Sequence, residues 1–261
     1  MAERANKRLG QHFLHDPAVI ARIVAAIAPR EGEHIVEIGP GRGALTRPLA
    51  ASGARLSVIE LDRTLAAALT ADPLLSDIEV IQGDALKADY AALAAGGPLR
   101  IVGNLPYNIS SPLLFRFLDA SAQLDDLTLM LQREVVERMV AAAGTRAYGR
   151  LTVMLAARCR IEKLFTVGAG AFTPPPKVES AVVRLVPHAT LPFDPGDWAL
   201  FERLVRAGFG ARRKTLRNAL RALADAATIE AADLDPRARP DTLSAADYAR
   251  LARLLHGKHV A

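Results

Sequence analysis

The chain has 261 residues, 51% of them hydrophobic and 23% charged, an ordinary globular composition with enough length for a full core and a small appended domain. A single cysteine, Cys159, excludes an internal disulfide and fits a reducing compartment. No stretch approaches the ~18 uninterrupted apolar residues of a spanning helix, and the polar, basic start lacks an apolar signal core, so a soluble cytoplasmic protein without a membrane partner is expected. The formal charge of +5 says little alone, but its distribution says more. Arg203, Arg206, Arg212, Arg213, Lys214, Arg217 and Arg221 stand together with no acidic residue among them, and Arg4, Lys7 and Arg8 form a smaller cluster. Such a run is either a solvated helix face or a grip on a phosphate backbone, and its lack of balancing acids favours the second.

Asp16-Pro17 predicts an N-cap and first helical position, opening a helix through Ile27. Apolar runs and helical patterns then alternate. HIVEIG (34–39), RLSVIEL (55–61), IEVIQGD (78–84), LRIVGN (99–104) and LTLMLQ (127–132) predict strands. ALTRPLAASG (44–53), DRTLAAALTAD (62–72) and SPLLFRFLDA (111–120) predict helices between them. Helical text runs from Glu134 to about Cys159, and further strands are predicted near 161–167 and at SAVVRLV (180–186). Strands alternating with helices at this spacing predict a parallel, doubly wound α/β sheet, and near-continuous apolar strands predict one covered on both faces. PHATLPFDPGD (187–197) is rich in Pro and turn residues and reads as a linker. Only helical text follows, so a main domain over 1–187 and an all-helical domain over 188–261 are expected.

EIGPGRGAL (37–45) links the first long strand to its helix. Gly39, Gly41 and Gly43 permit a tight turn and a close backbone approach to a ligand, and no P-loop pattern is present. Glu60 ends the next strand, where a carboxylate can accept from both hydroxyls of a ribose, and Asp84 ends the third, where it can accept from an adenine amino group. Acids at the carboxyl ends of successive strands share one rim of an open α/β sheet, the rim where ligands bind. Singly these are turn glycines and helix caps; together they point to an adenosine-containing ligand, either NAD or S-adenosylmethionine.

Asn104, Leu105, Pro106 and Tyr107 decide between the two. An exocyclic base amine is a poor nucleophile, because its lone pair is delocalised into the ring. The Asn104 side-chain carbonyl and the Leu105 backbone carbonyl can each take one N–H and turn that lone pair towards a methyl group. Pro106 fixes the turn, and the Tyr107 ring can stack on the base. Positioning and polarisation carry such a reaction without a strong base, on a base that is unpaired or flipped out. Hydride transfer has no use for this corner. Methylation at a pyrimidine C5 needs a cysteine, and Cys159, in AARCRIE, reads as core.

With GQHFLHD (10–16), EIGPGRGALT (37–46), VIELDR (58–63), QGDAL (82–86), VGNLPYNIS (102–110), MLQREVVERM (130–139), YGRLTVM (148–154) and FTPPPKVESAVVRL (172–185) in this order, the chain resembles the ribosomal RNA adenine N6,N6-dimethyltransferases over nearly its whole length. The resemblance implies a Rossmann-like S-adenosylmethionine-dependent methyltransferase sheet with a small helical C-terminal domain. It implies a monomer that dimethylates two adjacent adenosines in a loop near the 3′ end of small-subunit (16S) rRNA, in the subunit or its precursor, during ribosome maturation. It implies cofactor contacts at His12, Leu14, Gly39, Glu60, Asp84 and Asn104; the family commonly has Asn in place of His12. It gives Phe172, which bottom-up reasoning reads as a core residue before a rigid Pro run, a place stacked on the adenine opposite Tyr107. It gives Arg212, Arg213, Lys214 and Arg217 an rRNA to grip. Three other readings stand beside it: a large-subunit rRNA adenine methylase of the antibiotic-resistance kind, a DNA adenine methylase, and a non-catalytic RNA-binding assembly or transcription factor.

Overall fold

The computed structural model describes residues 11–260; the Arg4, Lys7 and Arg8 cluster and Gly10 of the first motif lie outside the described residues. The chain forms two compact units. One holds the residues up to Val136 together with Glu162–Pro187, and the other holds Glu137–Ile161 together with the residues from His188 onward.

In the first unit a two-residue strand, β1 (Phe13–Leu14), pairs antiparallel with Phe172–Thr173. Helix α1 (Pro17–Ile27) follows. The Asp16 carboxylate accepts from the N–H groups of Ala18 and Val19 at 2.9 and 3.1 Å, and Pro17 sits where no N–H is needed. The sheet begins with β2 (His34–Ile38), buried throughout. Helix α2 (Thr46–Ala50), strand β3 (Arg55–Glu60), helix α3 (Arg63–Thr70), strand β4 (Glu79–Gln82), helix α4 (Tyr90–Leu93), strand β5 (Leu99–Asn104), helix α5 (Ser110–Asp119) and strand β6 (Leu124–Gln132) come next. Helix α2 is shorter than the predicted 44–53 because the glycine turn takes its start and Gly53, at φ +80°, its end.

Two expectations are corrected past β6. The helical text of 134–159 is not one helix: α6 (Arg133–Met139) and α7 (Arg150–Ala156) are separated by a turn at Gly144, φ +82°, and a strand already starts at Cys159. That strand, β7 (Cys159–Val167), is followed by β8 (Phe172–Thr173, the partner of β1) and β9 (Ser180–Pro187). The sheet is not wholly parallel either. Strand β9 runs antiparallel to β6, with Thr128 opposite Arg184 and Gln132 opposite Ser180. The 168–179 connection contains no α-helix to serve as a crossover, so the chain re-enters the sheet reversed.

The strand order is β4-β3-β2-β5-β6-β9-β7. The chain runs outward from β2 through β3 to β4 and then returns to place β5 on the other side of β2. The connections leaving β2 and β5 therefore diverge, and a crevice opens at their carboxyl ends. Beneath it Ile35, Leu56, Val58, Val102, Met130 and Val182 pack with Ile23, Ile27, Leu49 and Leu69 of the helices, each buried side chain contributing about 1.5–3 kcal/mol.

The opposite, amino edge of the sheet carries charge. Arg100 donates to Asp126 through Nε at 2.8 Å and Nη2 at 3.0 Å, and to Glu33 through Nη1 at 2.6 Å. Arg184 closes on the same Asp126 at 2.5 Å. Beside them Ser57 donates to Glu79 and lies 2.8 Å from His34 Nε2.

In the second unit α8 (Trp198–Gly210), α9 (Leu216–Leu220), α10 (Ala226–Ala231) and α11 (Ala245–Val260) bury Phe201, Leu204, Val205, Leu216, Leu220 and Leu251. Gly208 admits the Tyr248 hydroxyl, which a Cβ there would meet at 2.4 Å, and that hydroxyl donates to the Pro240 carbonyl at 2.9 Å. This unit joins residues 137–161 to the helical text from His188 onward. Tyr148 packs edge-on to Phe209 at 5.8 Å, and Arg150 pairs with Glu202 at 2.7 Å. Helix α9 ends at Leu220, and Asp225 caps α10 by accepting from the Thr228 N–H at 2.8 Å. No helix among the described residues is long and apolar enough to cross a membrane.

Candidate active site

One cleft at the carboxyl edge of the sheet is lined by His12, Leu14, Gly39, Glu60, Asp84, Asn104, Leu105, Pro106 and Tyr107. Gly39, Gly41 and Gly43 turn with φ of +66°, +58° and +77°, which side chains rarely adopt. A Cβ on Gly41 would also lie 3.1 Å from the Phe13 ring. Glu60 braces this turn. One of its carboxylate oxygens accepts from the Gly41 N–H at 3.0 Å and the other from the Asp62 N–H at 2.9 Å. Burial pushes the Glu60 carboxyl up, and these N–H groups pull it back. Each oxygen retains a second lone pair for a ribose hydroxyl. Asp84 accepts from the Leu86 N–H at 3.0 Å, so one of its oxygens also caps a turn.

The Asn104–Tyr107 corner forms where β5 runs beside β2. A Cβ on Gly103 would meet the Ile38 carbonyl oxygen at 2.6 Å, so only glycine lets the strands approach this closely. The Leu105 N–H donates to Met130 O at 3.1 Å, which extends the ladder by one residue, and the Leu105 side chain is buried as an anchor. Pro106 then ends the strand. The Ile109 N–H returns to the Pro106 carbonyl at 3.2 Å and turns the chain into α5. The Tyr107 hydroxyl lies 2.9 Å from Ser180 Oγ, and burial pushes that phenol up. Asn104 Nδ2 donates to the His12 carbonyl at 3.1 Å, which directs the amide nitrogen to the residue before β1 and leaves Oδ1 as the acceptor for a ligand.

Phe172 is 2% exposed and lies in the apolar cluster with Leu14, its partner across the β1–β8 pair and itself a lining residue of the cleft. Arg212 Nε donates to Asp241 at 2.9 Å, Nη1 to the Arg146 carbonyl at 2.9 Å and Nη2 to the Thr145 carbonyl at 2.7 Å, so it clamps a loop of the second unit. Arg213, Lys214 and Arg217 are exposed there. Sequence reasoning missed Glu37, which lines the cleft, is 2% exposed and accepts from the Thr46 hydroxyl at 2.7 Å. Burial pushes its carboxyl up to about 7. The signal was a lone acid inside the apolar run HIVEIG.

A glycine cradle braced by a buried acid, beside an amide-and-tyrosine corner at the switch point of a mostly parallel sheet, defines a Rossmann-like methyltransferase. Among solved structures the chain is similar to a dimethyladenosine transferase from Plasmodium falciparum, with a TM-score of 0.79, 26% identity and coverage of 92% of this chain and 96% of that one. It is also similar to the 23S rRNA methyltransferase ErmE, with a TM-score of 0.72, 29% identity and coverage of 93% and 99%. A ribosomal RNA small subunit methyltransferase A from Pseudomonas aeruginosa is 54% identical over 254 residues, 97% of this chain and 95% of that protein. One of the same name from Xanthomonas axonopodis pv. citri is 54% identical over 251 residues, 96% of each. The model of the ribosomal RNA adenine dimethylase family matches residues 2–256, and the chain belongs to that family.

Proposed function

We propose that the protein transfers methyl groups from S-adenosylmethionine to N6 of two adjacent adenosines in a loop near the 3′ end of small-subunit (16S) rRNA. Four transfers give two N6,N6-dimethyladenosines during ribosome maturation. The observation that carries the reading is the Asn104 amide, which is fixed by the His12 carbonyl beside a cradle fit for a nucleoside. The small-subunit substrate is favoured by the 54% identity to relatives named for that subunit against 29% to the large-subunit enzyme.

The cradle fits the cofactor on its own geometry. The turn at Gly41, at φ +58°, would set a Cβ tightly against the Phe13 ring at 3.1 Å, and Glu60 stands at its rim with both oxygens already oriented. S-adenosylmethionine supplies an electrophilic methyl on a cationic sulfur. Gly39 and Gly41 admit the nucleoside, and Glu60 and Asp84 accept from its ribose hydroxyls and adenine amine. Leu14 and the His12 backbone close that side. On the substrate side Asn104 Oδ1 and the Leu105 carbonyl accept hydrogen bonds from the N6 amine and orient its lone pair, Pro106 holds the turn, and Tyr107 stacks on the base, worth about 1–3 kcal/mol. Each transfer releases one N6 proton to water. Arg213, Lys214 and Arg217 are read as phosphate contacts. On this reading the protein is a cytoplasmic monomer that meets its rRNA in the small subunit or its precursor, and the buried, unpaired Cys159 fits a reducing compartment.

The test is nucleoside mass spectrometry after incubation of the protein and S-adenosylmethionine with small subunits that lack the modification. N6,N6-dimethyladenosine is the expected product. Its absence, with methylation of large-subunit RNA or DNA or of nothing at all, would overturn the reading.

A further inference from the structure

We infer that Ser180 is a positioning residue for the methylation: its hydroxyl pins the Tyr107 ring, and that ring sets the plane of the adenine stacked on it. The inference rests on the proposed adenine methylation and deepens it. The Tyr107 hydroxyl lies 2.9 Å from Ser180 Oγ, across 73 residues of chain. Ser180 is fully buried, and among the described residues its hydroxyl makes no other hydrogen bond. Stability does not explain the pair. A phenylalanine beside an alanine would fill nearly the same space, and replacing both partners of a buried hydrogen bond by apolar groups of like shape is close to neutral. What the pair adds is direction, given to a ring that lines the cleft beside Asn104 and Pro106.

The fold explains why Ser180 stands there. Strand β9 runs antiparallel to β6, so it brings its first residue, Ser180, and not its last, to the carboxyl edge. Ser180 lies opposite Gln132 of β6, and two residues back along β6 Met130 lies opposite Asn104. One strand thus sets the register of the amide that accepts from the amine and of the hydroxyl that holds the ring. Tyr107 needs such a hold, because it lies beyond the ladder, in the turn after Pro106. Its backbone carbonyl accepts from the Ser110 hydroxyl at 3.1 Å, which fixes the chain but not the ring, and the ring torsion of a tyrosine is broad. A bond to the phenolic oxygen fixes where the axis of the ring points. That oxygen donates and accepts in the plane of the ring, so the bond also resists rotation about the axis. The consequence is chemical. The lone pair of N6 stands out of the base plane, so a tilt of the base is a tilt of the line of attack on the methyl group. Asn104 Oδ1 and the Leu105 carbonyl place the amine; Ser180, through Tyr107, sets the angle at which it reacts.

The test uses the full-length enzyme and small subunits that lack the modification, with kcat and KM measured for the subunits. S-adenosylhomocysteine affinity, by calorimetry, and Tm are measured on the same proteins. Ser180→Ala removes the hydroxyl on one side, and Tyr107→Phe removes it on the other while keeping the ring that stacks. We expect each to lose about 2- to 10-fold in kcat per folded molecule, the worth of one neutral hydrogen bond, with KM and S-adenosylhomocysteine affinity kept within about twofold. The double variant should be no slower than the slower single variant, because all three lack the same bond. Ser180→Thr, which keeps a hydroxyl, should recover most of the rate; if its added methyl prevents folding, the cycle between Ser180→Ala and Tyr107→Phe still decides. Losses that multiply in the double variant, a Ser180→Ala enzyme with normal kcat, or a fall in Tm without a fall in kcat would overturn the inference. So would a loss carried by KM alone, which would make the bond an aid to binding and not to alignment. A wild type that yields no N6-methylated adenosine takes down the proposed function as well, and that result is read before any variant is made.

Discussion

The two edges of the β2–β5 region bury acids equally deeply and use them differently. At the amino edge Asp126 is 4% exposed and held by two guanidinium groups, from Arg100 and Arg184. At the carboxyl edge Glu37 is 2% exposed and meets the Thr46 hydroxyl, with no ion pair among the described residues. Asp126 is satisfied within the fold, whereas burial holds Glu37 partly protonated, up to about 7. Groups that complete one another give stability. Groups braced from behind with an acceptor to spare, as Glu60 and Asn104 are, give a site. Within the second unit Arg212 is committed to Asp241 and two carbonyls, while Arg213, Lys214 and Arg217 are exposed.

The largest effect should come from breaking the amino edge. Arg100→Ala leaves Asp126 and Glu33 without their shared cation and is expected to cost about 3–5 kcal/mol in urea unfolding, with turnover per folded molecule unchanged. A large loss of turnover in the folded fraction would deny that the two edges divide stability from chemistry.

Glu37→Gln should act in the opposite sense. The folded Glu37 carboxyl lies at about 7 against an ordinary 4.5, so the folded state binds more protons than the unfolded state between these values, and stability falls as pH rises through that window. The variant removes this penalty, so its gain in Tm is expected to be larger at pH 8 than at pH 5. An equal gain at both pH values would contradict a proton-rich Glu37. The smallest effect belongs to the second unit. Neutralising Arg213, Lys214 and Arg217 together should flatten the dependence of rRNA affinity on salt, by about one slope unit for each phosphate that is no longer neutralised. Arg212→Gln should lower Tm and leave that slope alone.

The strands that build the site are legible in the sequence because their apolar runs are continuous and end in groups with evident chemistry. LRIVGN coincides with β5 from Leu99 to Asn104. The reversed β9 is not legible, since direction is set by a connection whose lack of a crossover helix shows only in three dimensions. Strand β7 is legible where it is predicted, near 161–167, but not its first two residues, because AARCRIE suits either period. Glu37 and Arg100 each interrupt an apolar run, which marks them as buried charge, but their partners Thr46, Asp126 and Glu33 lie on other segments of the chain. Phe172 reads as core from its own surroundings, and the structure buries it beside Leu14.

The central claim is that the carboxyl-edge corner performs the chemistry, and Asn104→Ala tests it most directly. Single-turnover methylation of small subunits would be followed beside calorimetric binding of S-adenosylmethionine. The account predicts a loss of about 10²- to 10³-fold in the methylation rate, the worth of one preorganised polar group, with cofactor affinity largely kept. Near-normal methylation by Asn104→Ala would contradict it.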